Sequence, residues 1–272
     1  MLRGFYTAAS GMIAQQRQQE ILSNNIANAN TPGYQADQAV LRSFPELLLQ
    51  QMGSKNIPTE NGLKIPENRV IGGLTTGVYA QEAIPNFAQG DIRETGIFTD
   101  MALVEGLKPD ETGGIFFTVQ NNEGEIRYTR NGHFTVDAEG YLTTNEGYYV
   151  LNQAGNPIQT NGLDFTVTPE GGVQAAGLNT QLGLAYIADV QDLIKGENDL
   201  LQLEGDAVAA NAYTSGAEFT VQQNYLESSN VNPMQSMTDM IQAYRSFELN
   251  QRVLKAYDDS MGKAVNEIAR LG

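Results

Sequence analysis

The sequence predicts an α+β protein. Two long helices at the discontinuous ends of the chain pair as a coiled coil, and between them lies a central antiparallel all-β domain of meander or barrel-like form. Three observations carry this. Near both termini apolar residues recur at helical spacing, whereas the middle of the chain alternates and is punctuated by Asn-Gly and Glu-Gly turns. The charge is divided in the same way. Residues 1–36 carry a net +1 and residues 226–272 a net −1, so the whole net charge of −16 rests on the segment between them. Near-neutral ends suit packing against protein, and an acidic middle suits water.

In the first segment Leu2, Phe5, Ala9, Met12, Ile13, Leu22 and Ile26 fall on a helical stripe with glutamines around it. The spacing predicts an amphipathic helix to about Ala29, roughly 40 Å long at 1.5 Å per residue. Its second half is rich in Ser23, Asn24, Asn25, Asn28 and Asn30, all weak helix formers, and Thr31-Pro32-Gly33 stops it. Such a helix is marginal alone and needs a partner.

Residues 36–85 hold one short apolar stretch, from Phe44 to Met52, followed by a Gly, Pro and Asn punctuated run, and read as an extended connector. From Asn86 onward the pattern is that of a meander. Segments 116–120 and 125–130 flank Asn121-Asn122-Glu123-Gly124, Asn131-Gly132 reads as a hairpin turn between Arg130 and His133, and Asp137-Ala138-Glu139-Gly140 precedes 141–143. Further strands are expected at 148–151, 157–160, 165–168 and 182–187, and 225–233 reads as a loop or cap.

A long helix follows from about Met234 to Ala269. Its apolar residues are Met237, Ile241, Tyr244, Phe247, Leu254, Tyr257, Met261, Val265 and Ile268, spaced mostly by three or four. The N-terminal helix is the economical partner for it. The domain boundaries expected on this reading are 1–35 for an N-terminal assembly helix, 36–85 for the connector, 86–205 for the central β domain and 206–272 for a connector and C-terminal assembly helix. Each helix keeps a second, weaker face for neighbouring copies.

Little in the sequence points to catalysis. There is no cysteine and a single histidine, His133, which removes thiolate chemistry and multi-histidine metal sites. P-loop, G-x-G-x-x-G and G-x-S-x-G motifs do not occur. Asp137, Glu139 and Glu146 have the wrong spacing for a calcium loop, and Asp258-Asp259 point about 100° apart on a helix. No cofactor, metal site or catalytic residue is expected. The net charge of −16 argues against nucleic acid and anionic membrane surfaces. The first twenty or so residues lack the apolar core of a secretory signal, and no window reaches the ~20 apolar residues of a membrane span.

Several runs carry a resemblance. Tyr6-Thr7-Ala8-Ala9-Ser10-Gly11-Met12, Leu22-Ser23-Asn24-Asn25-Ile26-Ala27-Asn28-Ala29-Asn30-Thr31-Pro32-Gly33-Tyr34, Leu226-Glu227-Ser228-Ser229-Asn230-Val231 and Met240-Ile241-Gln242-Ala243-Tyr244-Arg245-Ser246-Phe247-Glu248 resemble the bacterial flagellar basal-body rod and hook proteins. The run from Tyr128 to Gly140 looks like a hairpin of the rod proteins' central domain. Around 99–117 the chain departs from the family pattern, and Lys108-Pro109-Asp110-Glu111-Thr112 looks like a loop insertion.

The resemblance implies a structural axial subunit of rod type, exported without a cleaved signal through the flagellar type III apparatus. It implies a helical tube in which the terminal helices form an inner layer and the β domain lies outside, an extracytoplasmic place in the basal body, and copies of itself and other rod and hook axial proteins as partners. The residues expected to carry assembly are Phe5, Met12, Asn24, Asn25, Ile26, Asn28, Asn30, Leu226, Glu227, Asn230, Met240, Ile241, Tyr244, Phe247, Leu254, Tyr257 and Met261. The competing expectation is a secreted adhesion module whose β domain binds a cell-wall polymer, with the helices as a stalk.

Overall fold

A computed structural model describes residues 2–57, 63–162, 164–175, 177–203 and 209–270. The chain divides into two compact units. One contains Met1–Asn24, Gln38–Ala83 and Met234–Gly272, the other Asn25–Asp37 and Ile84–Pro233.

The first unit is built from helix α1 (Leu2–Ala27), strands β1 (Asp37–Ser43), β2 (Leu47–Ile57), β3 (Leu63–Leu74) and β4 (Val78–Pro85), and helix α2 (Pro233–Ala269). The segment expected to be an extended connector is extended, and its strands are paired. β2 and β3 form a long antiparallel ribbon and β1 pairs with β4.

The helix pairing expected from the two apolar stripes is present. A Cβ added at Gly4 would strike the Tyr257 ring, and one at Gly11 would lie 3.0 Å from Asn250 Nδ2. Seven residues forward on α1 thus correspond to seven residues back on α2, which makes the pair antiparallel and in step with a heptad. On α2 a stripe of buried and half-buried positions runs Ser236, Met240, Ala243, Phe247, Asn250, Leu254, Tyr257, Met261 and Ala264, alternating by four and three, with Asp239, Ser246 and Glu248 half-buried beside it. Opposite them α1 offers Gly4, Ala8 and Gly11, small residues that let the helices approach closely.

The other sixteen described strands fall in the second unit. They are β5 (Ile92–Glu94), β6 (Met101–Glu105), β7 (Gly114–Gln120), β8 (Ile126–Thr129), β9 (Phe134–Val136), β10 (Leu142–Thr144), β11 (Tyr149–Val150) and β12 (Phe165–Val167). Then follow β13 (Gly172–Ala175), β14 (Leu178–Gln181), β15 (Leu184–Ile187), β16 (Leu193–Lys195), β17 (Leu201–Leu203), β18 (Ala210–Asn211), β19 (Phe219–Gln223) and β20 (Tyr225–Glu227). The main sheet runs β16-β17-β8-β7-β11-β10-β9, with β15 joining β7 to β18, and every pair with a defined register is antiparallel. β12, β13 and β14 make a separate meander, while β19 pairs with β6 and β20 with β5.

Strand β7 is central because both of its faces are covered. Ile115, Phe117 and Val119 enter the main core with Met101, Leu103, Phe134 and Leu142, and Phe116 enters a second cluster with Ile187, Leu193 and Leu201. Phe117 meets Phe134 edge-on at 5.1 Å between ring centres.

Two expectations are corrected. Asn131-Gly132 is not a hairpin tip, because β8 pairs with β7 and β17 while β9 pairs with β10. Glycine stands at 132 for close approach. The Met101 N–H donates to the Gly132 carbonyl at 3.0 Å, and a Cβ at 132 would run into the Met101 carbonyl oxygen. Second, 225–233 is not loop throughout, since Tyr225, Leu226 and Glu227 form β20 opposite Glu94, Arg93 and Ile92.

Gly132→Ala should therefore destabilise by about 3 kcal/mol, because the obstacle is backbone that cannot rotate away. Gly262 is the opposite case. It lies in α2 with nothing near a new Cβ, and Gly262→Ala should stabilise by up to about 1 kcal/mol. Denaturant unfolding of both variants checks the pair.

Candidate functional site

The motif runs from opposite ends of the sequence meet inside the second unit, around one buried arginine. Arg130 follows β8 and is 6% exposed. A guanidinium there needs counter-charges, and two arrive from distant positions. Its Nη1 donates to Glu105 Oε1 at 2.6 Å, at the end of β6, and its Nε to Glu227 Oε2 at 2.7 Å, at the end of β20. Nη1 also donates to the Ile115 carbonyl at 2.5 Å, and the Phe116 ring lies 5.8 Å from the guanidinium. Glu105 accepts in addition from the Ile115 N–H at 3.0 Å and is ion-paired to Lys108.

The environment shifts both partners. Burial alone would raise the Glu105 carboxyl, but the Arg130 charge and the bonds from Lys108, Arg130 and Ile115 outweigh it and hold the group below the usual carboxylate range. Burial would likewise lower Arg130, and Glu227 and Glu105 more than offset it, so the guanidinium stays charged.

The Thr31-Pro32-Gly33-Tyr34 segment closes onto this cluster. The Gly33 N–H donates to the Glu227 carbonyl at 2.9 Å. Gly33 has φ of 68°, and a Cβ there would lie 2.5 Å from the backbone C of Arg130 and N of Asn131, so both conformation and space demand glycine. On the other carboxylate oxygen, Glu227 Oε1 accepts from the Gly90 N–H at 3.0 Å.

The asparagines of the two terminal motifs complete the junction. Asn25 is buried. Its Nδ2 donates to the Asp37 carbonyl at 2.8 Å, and its Oδ1 accepts from the Asp37 N–H at 2.9 Å and the Tyr34 hydroxyl at 3.2 Å. Asn230 Oδ1 accepts from the Ala36 N–H at 2.7 Å, and its Nδ2 reaches Gln35 Oε1 and the carbonyls of Asn86 and Ala88. Lys195, at the end of β16, donates to the Gln35 carbonyl at 2.6 Å, pairs with Asp37 at 2.9 Å and lies 4.2 Å from the centre of the Tyr34 ring. Burial first, then Asp37 and Asp199, push the Tyr34 hydroxyl up.

Of the residues singled out by sequence, Asn25, Leu226, Glu227 and Asn230 are brought together here, and the bonds just described tie the chain to itself. Asn28 Oδ1 accepts from the Thr31 hydroxyl at 3.2 Å, Ile26 is half-buried, and Asn24 and Asn30 are exposed. Phe5, Met12, Met240, Phe247, Leu254, Tyr257 and Met261 are half-buried on the helices of the first unit, while Ile241 and Tyr244 are 56% and 59% exposed. Sequence reasoning missed Arg130, Glu105, Gly33 and Lys195. The one available signal was a basic residue, Arg130, inside the strongly acidic middle segment.

The arrangement has no reactive geometry. His133 Nδ1 lies 2.6 Å from Oδ1 of the fully buried Asp100, but the Thr95 hydroxyl donates to Asp100 Oδ2 rather than to the imidazole, so no hydroxyl is activated. Asp137 Oδ1 accepts from the Tyr141 N–H at 2.6 Å, as a turn residue does. Among the described residues no group of three or more His, Asp or Glu side chains is placed to hold a metal ion. None of the described helices is long and apolar enough to cross a membrane.

Family models described as "Flagella basal body rod protein", "Flagellar hook protein FlgE/F/G D1 domain" and "Flagellar basal body rod FlgEFG protein C-terminal" match residues 5–35, 112–175 and 222–267. The chain is 41% identical, over 100% of both chains, to the flagellar hook-basal body complex protein FlhO of Bacillus subtilis. The chain belongs to the flagellar basal-body rod and hook protein family. It is 34% identical to the flagellar basal-body rod protein FlgG of Agrobacterium fabrum over 95% of this chain and 96% of that one. It is 28% identical to FlgF of Escherichia coli over 97% of each. The three family models fall on α1 with the Gly33 segment, on the core of the main sheet, and on β20 with α2.

Arg130→Met leaves Glu227 buried without a counter-charge and Glu105 with Lys108 alone, and should cost about 3–5 kcal/mol. Adding Glu105→Gln and Glu227→Gln should recover part of it. Because the folded Glu105 carboxyl sits below its unfolded value, its contribution is complete above pH 4.5 and is lost as the pH falls through the lower folded value. The melting temperature of the native chain should thus fall more steeply below pH 4.5 than that of Glu105→Gln.

Proposed function

We propose that the protein is a structural axial subunit of the bacterial flagellar basal-body rod, and that it self-assembles through its terminal helices into a helical tube that transmits torque. Membership of the family supports the structural role, and its relatives' names support the rod. The adhesion-module alternative finds no support in these relatives.

One observation carries the assembly reading. Met237, Ile241 and Tyr244 on α2 are 52%, 56% and 59% exposed, and each sits one residue after a position of the buried heptad, at Ser236, Met240 and Ala243. One residue is about 100° around the helix. The helix pair therefore carries a second apolar heptad face beside the one it uses internally, continued by Met234 at 80% exposure. On α1, Tyr6 and Ile13 are exposed as well. Contiguous apolar surface of this kind marks a protein interface, and the near-neutral net charge of the two terminal segments lets like copies pack without repulsion. A helical contact that does not close on itself gives an open filament.

On this reading the partners are copies of the same chain and other axial rod and hook proteins. The subunit travels through the flagellar type III export apparatus without a cleaved signal and works outside the cytoplasm. The residues that touch neighbours are Ile241 and Tyr244 first. Phe5, Met12, Phe247, Leu254, Tyr257 and Met261 shape the helix pair that presents them, and Asn24 and Asn30 are exposed near the end of α1.

Ile241→Asp with Tyr244→Asp should leave the thermal unfolding of the purified chain within about 0.5 kcal/mol of the native value, because both side chains already face water. The same variant should be absent from purified basal bodies, and the cells carrying it non-motile. A variant that assembles normally would rule out this face as the contact.

A further inference from the structure

We propose that Lys108, carried on the loop 106–113, is the balancing cation of the buried Glu105–Arg130–Glu227 cluster, and that it thereby sets the pH range over which the junction between the terminal motifs stays closed. The inference concerns the single chain and stands whether or not the helices assemble as described above.

Charge counting comes first. Arg130 is one positive charge between two carboxylates, with side-chain exposures of 5% for Arg130, 7% for Glu105 and 1% for Glu227. Alone, the three groups leave an excess negative charge where water screens poorly. Lys108 supplies the missing positive charge by pairing with Glu105 Oε2, while Arg130 holds Glu105 Oε1. Its own side chain is 26% exposed, so the cation can enter the cluster from solvent at modest desolvation cost.

The other charged and titratable groups around Glu105 do not replace it. Tyr186 on β15 faces the same region, and its hydroxyl donates to Asp110 Oδ2 at 3.0 Å and accepts from the Asp110 N–H at 3.3 Å. Glu218, whose Cβ would meet one built on Gly106, adds another negative group. Lys108 is the cation that this side of the cluster receives.

The loop is built to hold the lysine in place. Lys108 Nζ donates to the Gly113 carbonyl at 2.8 Å across the loop, and the Thr112 hydroxyl donates to the Ala188 carbonyl at 3.1 Å. The base is closed by the Gly106 N–H to the Glu218 carbonyl and the Glu218 N–H to the Leu107 carbonyl, both at 2.8 Å. Lys108-Pro109-Asp110-Glu111-Thr112 is thus a hydrogen-bonded carrier for one cation. Through Glu105 and Arg130 that cation acts on Glu227, whose carbonyl accepts from Gly33, so Lys108 is a positioning residue for the junction.

The test uses the full chain with Lys108→Gln, which removes the charge and leaves a shorter, neutral donor on the Gly113 side. At neutral pH the variant should melt about 2–4 °C below the native chain, and exchange at the Gly33 amide should accelerate. As the pH falls and Glu105 takes up a proton, the lysine charge loses its partner, so the gap in melting temperature should close. Lys108→Arg should restore the native profile, and in a Glu105→Gln background Lys108→Gln should show no pH-dependent gap. A gap of constant size from neutral to acidic pH, or no gap at all, would overturn the proposal and leave Lys108 a packing residue.

Discussion

A guanidinium inside a β domain cannot be left alone, and the requirement that Arg130 be neutralised organises the second unit. Its two carboxylates stand 25 residues before it and 97 residues after it, so the ion pairs form only if β6, the end of β8 and β20 are brought to one point. Once they are, Glu227 has both its side chain and its backbone committed, and Gly33 fits against the Arg130 peptide because it has no Cβ. Removing Arg130 leaves an uncompensated buried charge, and removing either carboxylate leaves guanidinium N–H groups unpaired, which is why the cluster specifies the arrangement more strongly than apolar contacts alone would. The asparagines then serve as side-chain substitutes for backbone pairing, Asn25 matching both polar groups of Asp37 and Asn230 bridging 35–36 to 86 and 88.

The helices follow a different physics. Their heptad positions contain a glycine-rich stripe on α1 and a mixed stripe on α2 that includes Ser236, Ala243 and Asn250. The α2 stripe also carries the half-buried Met240, Phe247, Leu254, Tyr257 and Met261, so small residues on one helix seat larger ones from the other. Ile241 and Tyr244 lie on the neighbouring face and are exposed.

How much of this was readable follows from range. Both helices were legible to within a few residues because 3.6-residue periodicity is local, and the alternation of β7 and the turn at Asp137–Gly140 were legible for the same reason. The stripe on α2 was only partly so. Two apolar heptads one residue apart merge into one broad pattern, and the sequence does not say which is used inside the chain. Asn131-Gly132 misled because Asn-Gly usually serves a positive φ, whereas Gly132 answers to the carbonyl of Met101, a residue from another strand. The motif asparagines were picked out by resemblance, yet their bonding to Asp37 and to 86–88 depends on contacts across the chain. Arg130 was read only as the flank of a turn, because no local pattern marks a residue whose partners are so distant in sequence. The strand pairing of 37–85 was missed because its punctuated composition hides the alternation.

The claim on which this account rests is that the Arg130 cluster holds the terminal motif segments 25–37 and 226–230 within the second unit of the free subunit. Residue-resolved hydrogen exchange on the dilute monomer tests it directly. The amides of Gly33, Asp37, Gly90 and Ser228 should exchange as slowly as those of β7 and β15, while the amides of α1 and α2 exchange orders of magnitude faster. Junction amides that exchange with the helices, ahead of the main sheet, would contradict it.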